Sequence, residues 1–176
     1  MRASGYERVA NDWYVEPAWV VDALCNVERF DGLCWDPACG SGTIPSTLRK
    51  RGIECGASDI ADRGVGFVGL DFFLADIRAT NIISNPPFGV IERFITRALE
   101  RTTGKVAILA RLAFLEGQAR QSFFRQTPLA RVWVSSKRVS MPPGGSDIPA
   151  KGGTIAYAWF VWSKGHVGAP TLGWLP

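Results

Sequence analysis

Residues 33–43 read LCWDPACGSGT, a short apolar segment followed by a turn with two glycines. Leu33 to Trp35 have the apolar composition of a strand, and a helical pattern resumes at Thr43 and ends in three basic residues before Gly52. The glycines permit a tight turn and let the backbone approach a ligand closely. Together these parts predict a nucleotide-binding crossover, with the ligand at the carboxyl end of the strand and the N-terminus of the helix.

Acidic residues follow at two positions where a nucleotide ligand would need them. Residues 53–58 predict a second strand that ends at Asp59, about 20 residues beyond the first strand, where an acid can hold the hydroxyls of a ribose. Asp59 also suits a helix cap or a turn. Further on, Asp71 stands beside Phe72 and could hydrogen-bond the edge of an adenine while the aromatic ring packs on its face. The alternative is a loop acid beside two core phenylalanines.

A third informative stretch, residues 82–88, reads IISNPPF and ends at Gly89. Its apolar, β-branched start predicts a strand over residues 81–84 that delivers Asn85 at its carboxyl end. The side-chain carbonyl of Asn85 and the backbone carbonyl of Pro86 would be adjacent acceptors suited to an amino group, and a planar ring could stack on Phe88. A plain strand-to-helix turn is the alternative, since Asn favours caps and proline favours first helical turns.

The remaining segments alternate between helical and strand patterns. Buried parallel strands are apolar on both faces, and residues 105–110 and 154–163 show that pattern. The first of these strands stops at Arg111, which is therefore expected at the same sheet edge as Asn85. The predicted helices cover residues 17–29, 90–99 and 115–125, a sixth strand covers residues 131–135, and residues 136–153 form a long loop whose composition predicts mobility.

The composition is typical of one soluble globular domain, with 47% hydrophobic and 20% charged residues among 176. No apolar run reaches the length of a membrane span, and the first residues do not resemble a signal peptide, so a cytoplasmic protein is expected. The net charge of +4 permits a polyanionic partner. The 4 cysteines have no paired short spacings and there is 1 histidine, so we expect reduced thiols and no metal site.

Two motifs in this order give a resemblance to a known family. DPACGSG at residues 36–42 and NPPF at residues 85–88 are similar to the cofactor loop and the catalytic motif of S-adenosylmethionine-dependent amino-methyltransferases that act on adenine in DNA, in particular to short phage and prophage versions. Residues 14–17, Tyr-Val-Glu-Pro, resemble the family's N-terminal motif, with Glu16 in place of the usual threonine. Residues 111–116 and 157–162 are also similar to stretches of the phage versions.

The resemblance implies an α/β, Rossmann-like class I methyltransferase fold. Such a fold has a seven-stranded, mostly parallel sheet with helices on both faces and an antiparallel last strand. The family usually adds a target-recognition domain, but the length and pattern of this chain predict a single catalytic domain over residues 1–176, which makes residues 136–153 the candidate substrate loop. Low sequence selectivity, a homo-oligomer or a separate specificity partner would follow, and the protein would work in the cytoplasm of a prokaryotic or phage-infected cell.

The resemblance also assigns site residues. The methionine part of S-adenosylmethionine would contact the cofactor loop and the N-terminal motif, its ribose Asp59, and its adenine Asp71 and Phe72. The implied cofactor-binding residues are Tyr14, Pro17, Asp36, Ala38, Cys39, Gly40, Gly42, Asp59, Asp71 and Phe72. The implied catalytic residues are Asn85, Pro86, Pro87 and Phe88, and the candidate contacts with DNA are Arg111, Lys137, Arg138 and Lys151.

In the implied reaction the target base is flipped out of the duplex, the carbonyls of Asn85 and Pro86 accept the two hydrogens of its amino group, and Phe88 stacks on the ring. Neither a metal nor a base with a shifted pKa is needed. The same signature occurs in families that methylate ribosomal RNA or a protein glutamine. A silent protein that binds cofactor or nucleic acid without turnover is a further alternative. A nicotinamide-dependent oxidoreductase would need a third glycine in phase, which residues 40–45 lack.

Overall fold

The computed structural model describes residues 13–147, 149 and 153–176, within which eight strands and four α-helices are found. Along the chain they are α1 (Ala18–Val27), β1 (Cys34–Asp36), α2 (Thr43–Lys50), β2 (Cys55–Asp59), β3 (Phe67–Val68), β4 (Asn81–Ser84), α3 (Ile91–Arg101), β5 (Lys105–Arg111), α4 (Gln118–Gln126), β6 (Leu129–Val134), β7 (Tyr157–Ser163) and β8 (Thr171–Trp174). Single 3-10 turns at residues 88–90 and 112–115 precede α3 and α4. None of the helices in these ranges has both the length and the apolar character that a membrane crossing requires.

The strands form one sheet with the order β3-β2-β1-β4-β5-β7-β6-β8. Neighbouring strands are parallel except at β7, which runs antiparallel to both β5 and β6. The first three strands run outward to one edge, and the chain then returns to place β4 on the other side of β1. Such a reversal opens a crevice at the carboxyl ends of β1 and β4, which is where ligands bind in open α/β sheets.

Helices cover both faces of the sheet, so the molecule has two apolar cores. On one face Leu24 of α1 and Leu48 of α2 pack against the sheet, and on the other face Phe94 of α3 does so. Successive side chains of a strand point to opposite faces. In β7, Trp159 accordingly lies in the first core and Phe160 in the second, and both are fully buried.

The predicted α/β class, the mostly parallel sheet and the reversed strand are confirmed. Strand β4 has the predicted bounds, whereas β7 begins at Tyr157 rather than at residue 154. The helix predicted over residues 115–125 corresponds to α4, which begins only at Gln118. The reason is the preceding Gly117, whose φ of 106° lies far outside the helical region.

The sheet contains an eighth strand where seven were expected. Strand β8 pairs in parallel with β6 and forms one edge of the sheet. Gly165, Gly168 and Pro170 precede it, and such residues are typical of loops, so the local pattern does not predict a strand there. The reversed strand is consequently β7 and is not the last strand of the chain.

The loop after β6 contacts the segment that precedes α1. The N–H of Val15 donates to the carbonyl of Pro142 at 3.0 Å, and the N–H of Gly144 donates to the carbonyl of Trp13 at 2.8 Å. These backbone hydrogen bonds hold the described part of the candidate substrate loop against residues 13–15.

Candidate active site

A cleft of about 960 Å³ opens at the carboxyl ends of β1, β2, β4 and β5, within the range typical of small-molecule sites. The predicted site residues that line it are Tyr14, Ala38, Cys39, Gly40, Asp59, Asp71, Phe72, Asn85, Pro86, Pro87, Phe88 and Arg111. Those that do not line it are Pro17, Asp36, Gly42, Lys137 and Arg138. Lys151 lies outside the described residues. Within the described ranges, no three His, Cys, Asp or Glu side chains form a group that could hold a metal ion.

Asn85 follows β4 directly and is held by its side-chain nitrogen. Nδ2 donates to the backbone carbonyl of Tyr14 at 3.1 Å and to a carboxylate oxygen of Glu16 at 2.9 Å, and it lies 3.6 Å from the sulfur of Met141. Oδ1 is buried and has no hydrogen-bond partner among the described residues. A buried acceptor left without a donor costs on the order of 1–3 kcal/mol, so this oxygen is suited to a donor on a ligand.

The two acceptors around Nδ2 fix the direction of the Asn85 amide. If the amide flipped, Oδ1 would meet the carbonyl of Tyr14 and the carboxyl of Glu16, neither of which offers a hydrogen when the carboxyl is ionised. Burial raises the pKa of Glu16 to about 7, although the hydrogen bonds from Asn85 and from the backbone N–H of Ile44 oppose the shift. The state of Glu16 therefore bears directly on the acceptor in the cleft.

Asp36 supports the site from inside the protein. Its Oδ1 accepts hydrogen bonds from the Ser84 hydroxyl at 2.7 Å and from the N–H of Ala38 at 3.2 Å. Burial raises the pKa of Asp36 well above its usual range, against the effect of the Ser84 hydrogen bond. Because Ser84 directly precedes Asn85, this carboxyl joins the predicted cofactor loop to the strand end that carries the proposed acceptor.

Phe88 belongs to an aromatic wall of the cleft. Its ring stacks with Tyr14, with 6.5 Å between centroids and 24° between planes, and lies 6.3 Å from the ring of Tyr157. The guanidinium carbon of Arg111 is 4.8 Å from the Phe88 centroid, and Nε of Arg111 is buried without a hydrogen-bond partner in the described part of the chain. Arg111, predicted as a contact to DNA, thus lies inside the cleft and over the ring that was predicted to stack on the base.

Gly40 of the predicted cofactor loop is hydrogen-bonded to Asp59, the last residue of β2. Gly40 has a φ of 52°, and a Cβ there would lie 2.8 Å from the ring of Trp13, so the position requires glycine. The N–H of Gly40 donates to Oδ2 of Asp59 at 2.9 Å, and the N–H of Ala61 donates to Oδ1 at 2.9 Å. Nε of Arg63 also lies 3.7 Å from Oδ2 in an ion pair. Since each carboxylate oxygen has two lone pairs, both oxygens of Asp59 can still accept a hydrogen bond from a hydroxyl of a ligand.

Asp71 and Phe72 form the wall beyond the end of β2. Oδ1 of Asp71 accepts a hydrogen bond from the N–H of Phe73 at 2.8 Å. The ring of Phe72 is 5% exposed and packs 4.5 Å from Phe94 and 5.5 Å from Trp35, measured between centroids. Phe72 is therefore a residue of the second core whose ring also borders the cleft.

The predicted residues away from the cleft have identifiable places in the fold. Pro17 immediately precedes α1, and Gly42, with a φ of 81°, immediately precedes α2. The ammonium group of Lys137 lies 4.4 Å from the Trp19 ring centroid, and Arg138 is exposed. Both cations belong to the loop after β6, outside the cleft itself.

Several cleft residues were missed by the sequence analysis, among them Trp13, Arg63 and Arg120. The guanidinium carbon of Arg63 lies 4.3 Å from the Trp13 ring centroid. Arg120 donates to Glu92 at 3.2 Å. The position of Trp13 beside the N-terminal motif was the available signal, whereas Arg120 reaches the cleft from a helix and had none.

No protein-family model and no curated protein matches the sequence, whereas solved structures do match the fold. A candidate RNA methyltransferase from Pyrococcus horikoshii is 17% identical with a TM-score of 0.60, covering 84% of this chain and 80% of that chain. The modification subunit of a candidate type I restriction enzyme from Vibrio vulnificus is 12% identical with a TM-score of 0.59, covering 92% of this chain and 46% of that chain. Magnesium protoporphyrin IX methyltransferase from Synechocystis, solved with bound S-adenosylmethionine, is 11% identical with a TM-score of 0.57, covering 83% and 78%.

The chain has a Rossmann-like methyltransferase fold. At these identities the likeness concerns the arrangement of strands and helices. The names of the matched proteins refer to different methyl-accepting substrates. The fold therefore does not identify the substrate of this chain, which must be inferred from the residues of the cleft.

Proposed function

We propose that this protein transfers a methyl group from S-adenosylmethionine to the exocyclic amino group of adenine in DNA. The observation that carries the proposal is the buried Oδ1 of Asn85, an acceptor without a donor in a cleft that also contains a glycine turn and Asp59. An amino group supplies the missing hydrogen. The DPACGSG and NPPF motifs support the same assignment.

The part of the cleft around Gly40 fits a nucleoside that carries a methionine chain. Gly40 has no side chain, so a ligand can approach its backbone closely, and Asp59 can accept hydrogen bonds from ribose hydroxyls. Asp71 and Phe72 offer a carboxylate and an apolar face for an adenine. The cofactor-binding residues are therefore proposed as those that the resemblance implied, with Asp36 and Gly42 acting through the loop that they support. When bound, S-adenosylmethionine supplies an electrophilic methyl group on a sulfonium.

The residues of the NPPF motif accept hydrogen bonds from the amino group of the adenine and orient its ring. The lone pair of an adenine amino nitrogen is delocalised into the ring, so that nitrogen becomes a useful nucleophile only if its developing positive charge is stabilised. The carbonyls of Asn85 and Pro86 accept its two hydrogens and provide that stabilisation while the N–C bond forms and the sulfonium S–C bond breaks. The methylated nitrogen then loses one of these hydrogens as a proton to water. Phe88, at the aromatic wall, holds the ring in one orientation, which replaces random collision by a fixed approach.

The net charge of +4 and the presence of Arg63, Arg111 and Arg120 in the cleft support a nucleic-acid substrate, and DNA is proposed as the polymer on the resemblance of the two motifs. A base in a duplex must be flipped out to enter the cleft, at a cost of a few kcal/mol. Stacking on an aromatic side chain offsets roughly 1–3 kcal/mol of that cost. Lys137 and Arg138, on the loop after β6, are proposed as contacts to the backbone.

RNA is the second candidate acceptor, and the likeness to a candidate RNA methyltransferase favours it. The chemistry at Asn85 would be the same for an adenine in either polymer. The proposal for DNA and the alternative therefore differ in the polymer contacts and not in the reacting groups.

The polymer is tested by offering labelled S-adenosylmethionine to duplex DNA, single-stranded DNA, RNA and protein in parallel, followed by nucleoside analysis. We expect label in DNA as N6-methyladenine. Label in RNA or protein alone would reject DNA, and label on cytosine would reject adenine.

The role of Asn85 is tested by Asn85→Ala, which removes both the acceptor and the amide that holds it. We expect kcat to fall by at least about 100-fold, comparable to the loss of one charge-stabilising group in other enzymes, while the affinity for S-adenosylmethionine measured by calorimetry stays within a few-fold. Asn26→Ala is the matched control, because Asn26 is an exposed residue of α1 that pairs with Arg51 far from the motif. Loss of cofactor binding in Asn85→Ala would assign Asn85 a structural role instead.

A further inference from the structure

Glu16 is a buried carboxyl beside the proposed acceptor. It is 7% exposed and lines the cleft. Its Oε2 accepts one hydrogen of the Asn85 amide at 2.9 Å, and the carbonyl of Tyr14 accepts from the same nitrogen at 3.1 Å. The contact joins the segment before α1 to the end of β4, across 69 residues of chain.

The surroundings of the Glu16 carboxyl offer little stabilisation for a negative charge. Its hydrogen-bond donors are neutral, namely the Asn85 amide, its own backbone N–H and the backbone N–H of Ile44 in the first turn of α2. From the loop after β6, the Met141 sulfur approaches the same amide nitrogen at 3.6 Å. The titratable neighbour is Asp36 at the end of β1, a second carboxyl whose pKa is raised further by the charge of Glu16. Among the described residues no cation pairs with Glu16, and burial raises its pKa to about 7, so the side chain exchanges its proton near neutral pH.

The two protonation states act differently on Asn85. An ionised carboxyl is a strong acceptor that keeps the amide nitrogen in place and draws electron density toward the amide oxygen, which makes Oδ1 a better acceptor. A protonated carboxyl is a weaker acceptor and can itself donate a hydrogen, so a flipped amide with its NH2 toward the cleft is no longer opposed at this contact. An NH2 group at the position of Oδ1 would face the amino group of the substrate, and two donors cannot form a hydrogen bond with each other.

We propose that Glu16 is a positioning residue: in its ionised form it locks the Asn85 amide and strengthens Oδ1 as the acceptor, so that one proton switches the site between productive and unproductive states. The inference rests on the proposed function for its effect on methyl transfer. The coupling between Glu16 and Asn85 is a property of the protein alone and can be measured without cofactor or substrate.

The kinetic test compares wild type with Glu16→Gln, whose side-chain oxygen still accepts a hydrogen bond but carries no charge. For a group with a pKa near 7, the ionised fraction rises about tenfold between pH 6 and pH 8, and we expect kcat of the wild type to rise by about that factor. In Glu16→Gln we expect a flat profile at the low level, with KM for DNA within about twofold. Glu54→Gln, which changes an exposed glutamate, is the control and retains the rise.

Other titrating groups do not provide the same signature. Adenine and phosphodiesters do not change protonation between pH 6 and pH 8. The amino group of S-adenosylmethionine titrates close to this range, but it is present with both enzymes, so a rise that is lost in Glu16→Gln is assigned to the protein. His166, the histidine of the chain, does not line the cleft.

The second readout is carbon and nitrogen NMR of the protein without ligands. We expect the carboxyl carbon of Glu16 to titrate with a midpoint near pH 7, the side-chain NH2 signal of Asn85 to shift with the same midpoint, and both titrations to be absent in Glu16→Gln. Asn85→Ala should move the Glu16 midpoint upward, because a hydrogen bond that favours the carboxylate is lost.

The outcomes separate the inference from the proposed function. Coupled NMR titrations together with no methyl transfer to any polymer would reject the proposed function and support the coupling. Methyl transfer with a flat pH profile in the wild type, or with full activity in Glu16→Gln, would overturn the inference and leave the proposed function intact. A Glu16 midpoint near that of an ordinary glutamate would also overturn it.

Discussion

Trp13 fills the space between two glycines that belong to different loops. A Cβ at Gly40, in the cofactor loop, would lie 2.8 Å from its ring, and a Cβ at Gly144, in the loop after β6, would lie 2.0 Å away. The carbonyl of Trp13 also accepts the N–H of Gly144 at 2.8 Å. One indole ring thus couples the proposed cofactor site to the proposed substrate loop.

Gly144→Ala should displace this ring and weaken the binding of S-adenosylmethionine at the other side of it. Overpacking of this kind costs about 1–3 kcal/mol, so we expect the Kd measured by calorimetry to rise by at least about fivefold. Gly56→Ala is the matched control, because a Cβ at Gly56 would find its nearest neighbour, a Trp35 ring carbon, at 3.6 Å, an ordinary contact. Wild-type affinity in Gly144→Ala would show that the two loops are not coupled through Trp13.

At the residue scale, the sequence predicted the places of those residues whose position in the sheet follows from a strand end or a turn. Asn85 and Asp59 end strands, and Gly40 lies in a glycine turn, so local pattern was sufficient to bring them into one cleft. The contact between Glu16 and Asn85 was not predictable, since it depends on how the segment before α1 crosses the end of β4. Arg111 was placed at the correct sheet edge, but its position over Phe88 depends on a side-chain conformation that no sequence pattern specifies.

Among the secondary-structure elements, α1 is joined to the sheet through Glu28, the residue after its last turn. The Glu28 carboxyl accepts hydrogen bonds from Lys105 of β5 at 2.7 Å, from Trp133 of β6 at 2.9 Å, and from the guanidinium of Arg131. Burial alone would raise the pKa of Glu28, but these donors outweigh it and lower the pKa below its usual value. The group therefore contributes stability in its ionised form.

Glu28→Gln should destabilise the fold by about 3 kcal/mol at pH 7, because two cations lose the buried charge that pairs with them. Since the pKa is lowered by folding, this contribution is present above the pKa of the unfolded chain and is lost as the pH falls through the folded value. We expect urea unfolding to show a difference between the variants at pH 7 that shrinks below pH 4. The exposed Glu54→Gln should unfold like the wild type at both pH values, and an equal loss at both would contradict the charge assignment.

The elements that the sequence predicted best are those whose burial is uniform. Strands β5 and β7 are buried on both faces, so their apolar runs predict β5 to within one residue and the end of β7 correctly, whereas the start of β7 was predicted three residues too early. Strand β8 is paired on one side only and largely exposed, so it needs no apolar run and carried no signal. The start of α4 was predicted too early because Gly117 has a non-helical backbone conformation. The helical spacing of the apolar residues around it does not reveal this interruption.

For the whole molecule, the cysteines report whether the fold is intact. Burial raises the pKa of Cys34 to about 11 and that of Cys39 to about 12, and it also raises the pKa of Cys55, while Cys25 is only half-buried. The three buried thiols are therefore poor nucleophiles in the native state.

Alkylation at pH 8 should accordingly modify these three thiols at least about 100-fold more slowly in the native protein than in urea. Mass spectrometry of the time course counts the modified thiols, and Cys25→Ser removes the half-buried one. Rapid modification of all thiols in the native protein, at a concentration where circular dichroism shows it folded, would contradict the described burial.

The position of β7 has a consequence for biosynthesis. It lies between β5 and β6 in the sheet, although the ribosome makes it after both. Until residues 157–163 have emerged, β5 and β6 each present an unpaired edge, and both cores lack the large aromatic residues of β7. Unpaired edges are templates for association with other chains. The nascent protein therefore exposes unpaired strand edges for longer than a protein whose central strands are translated first, and it is open to association with other chains during that time.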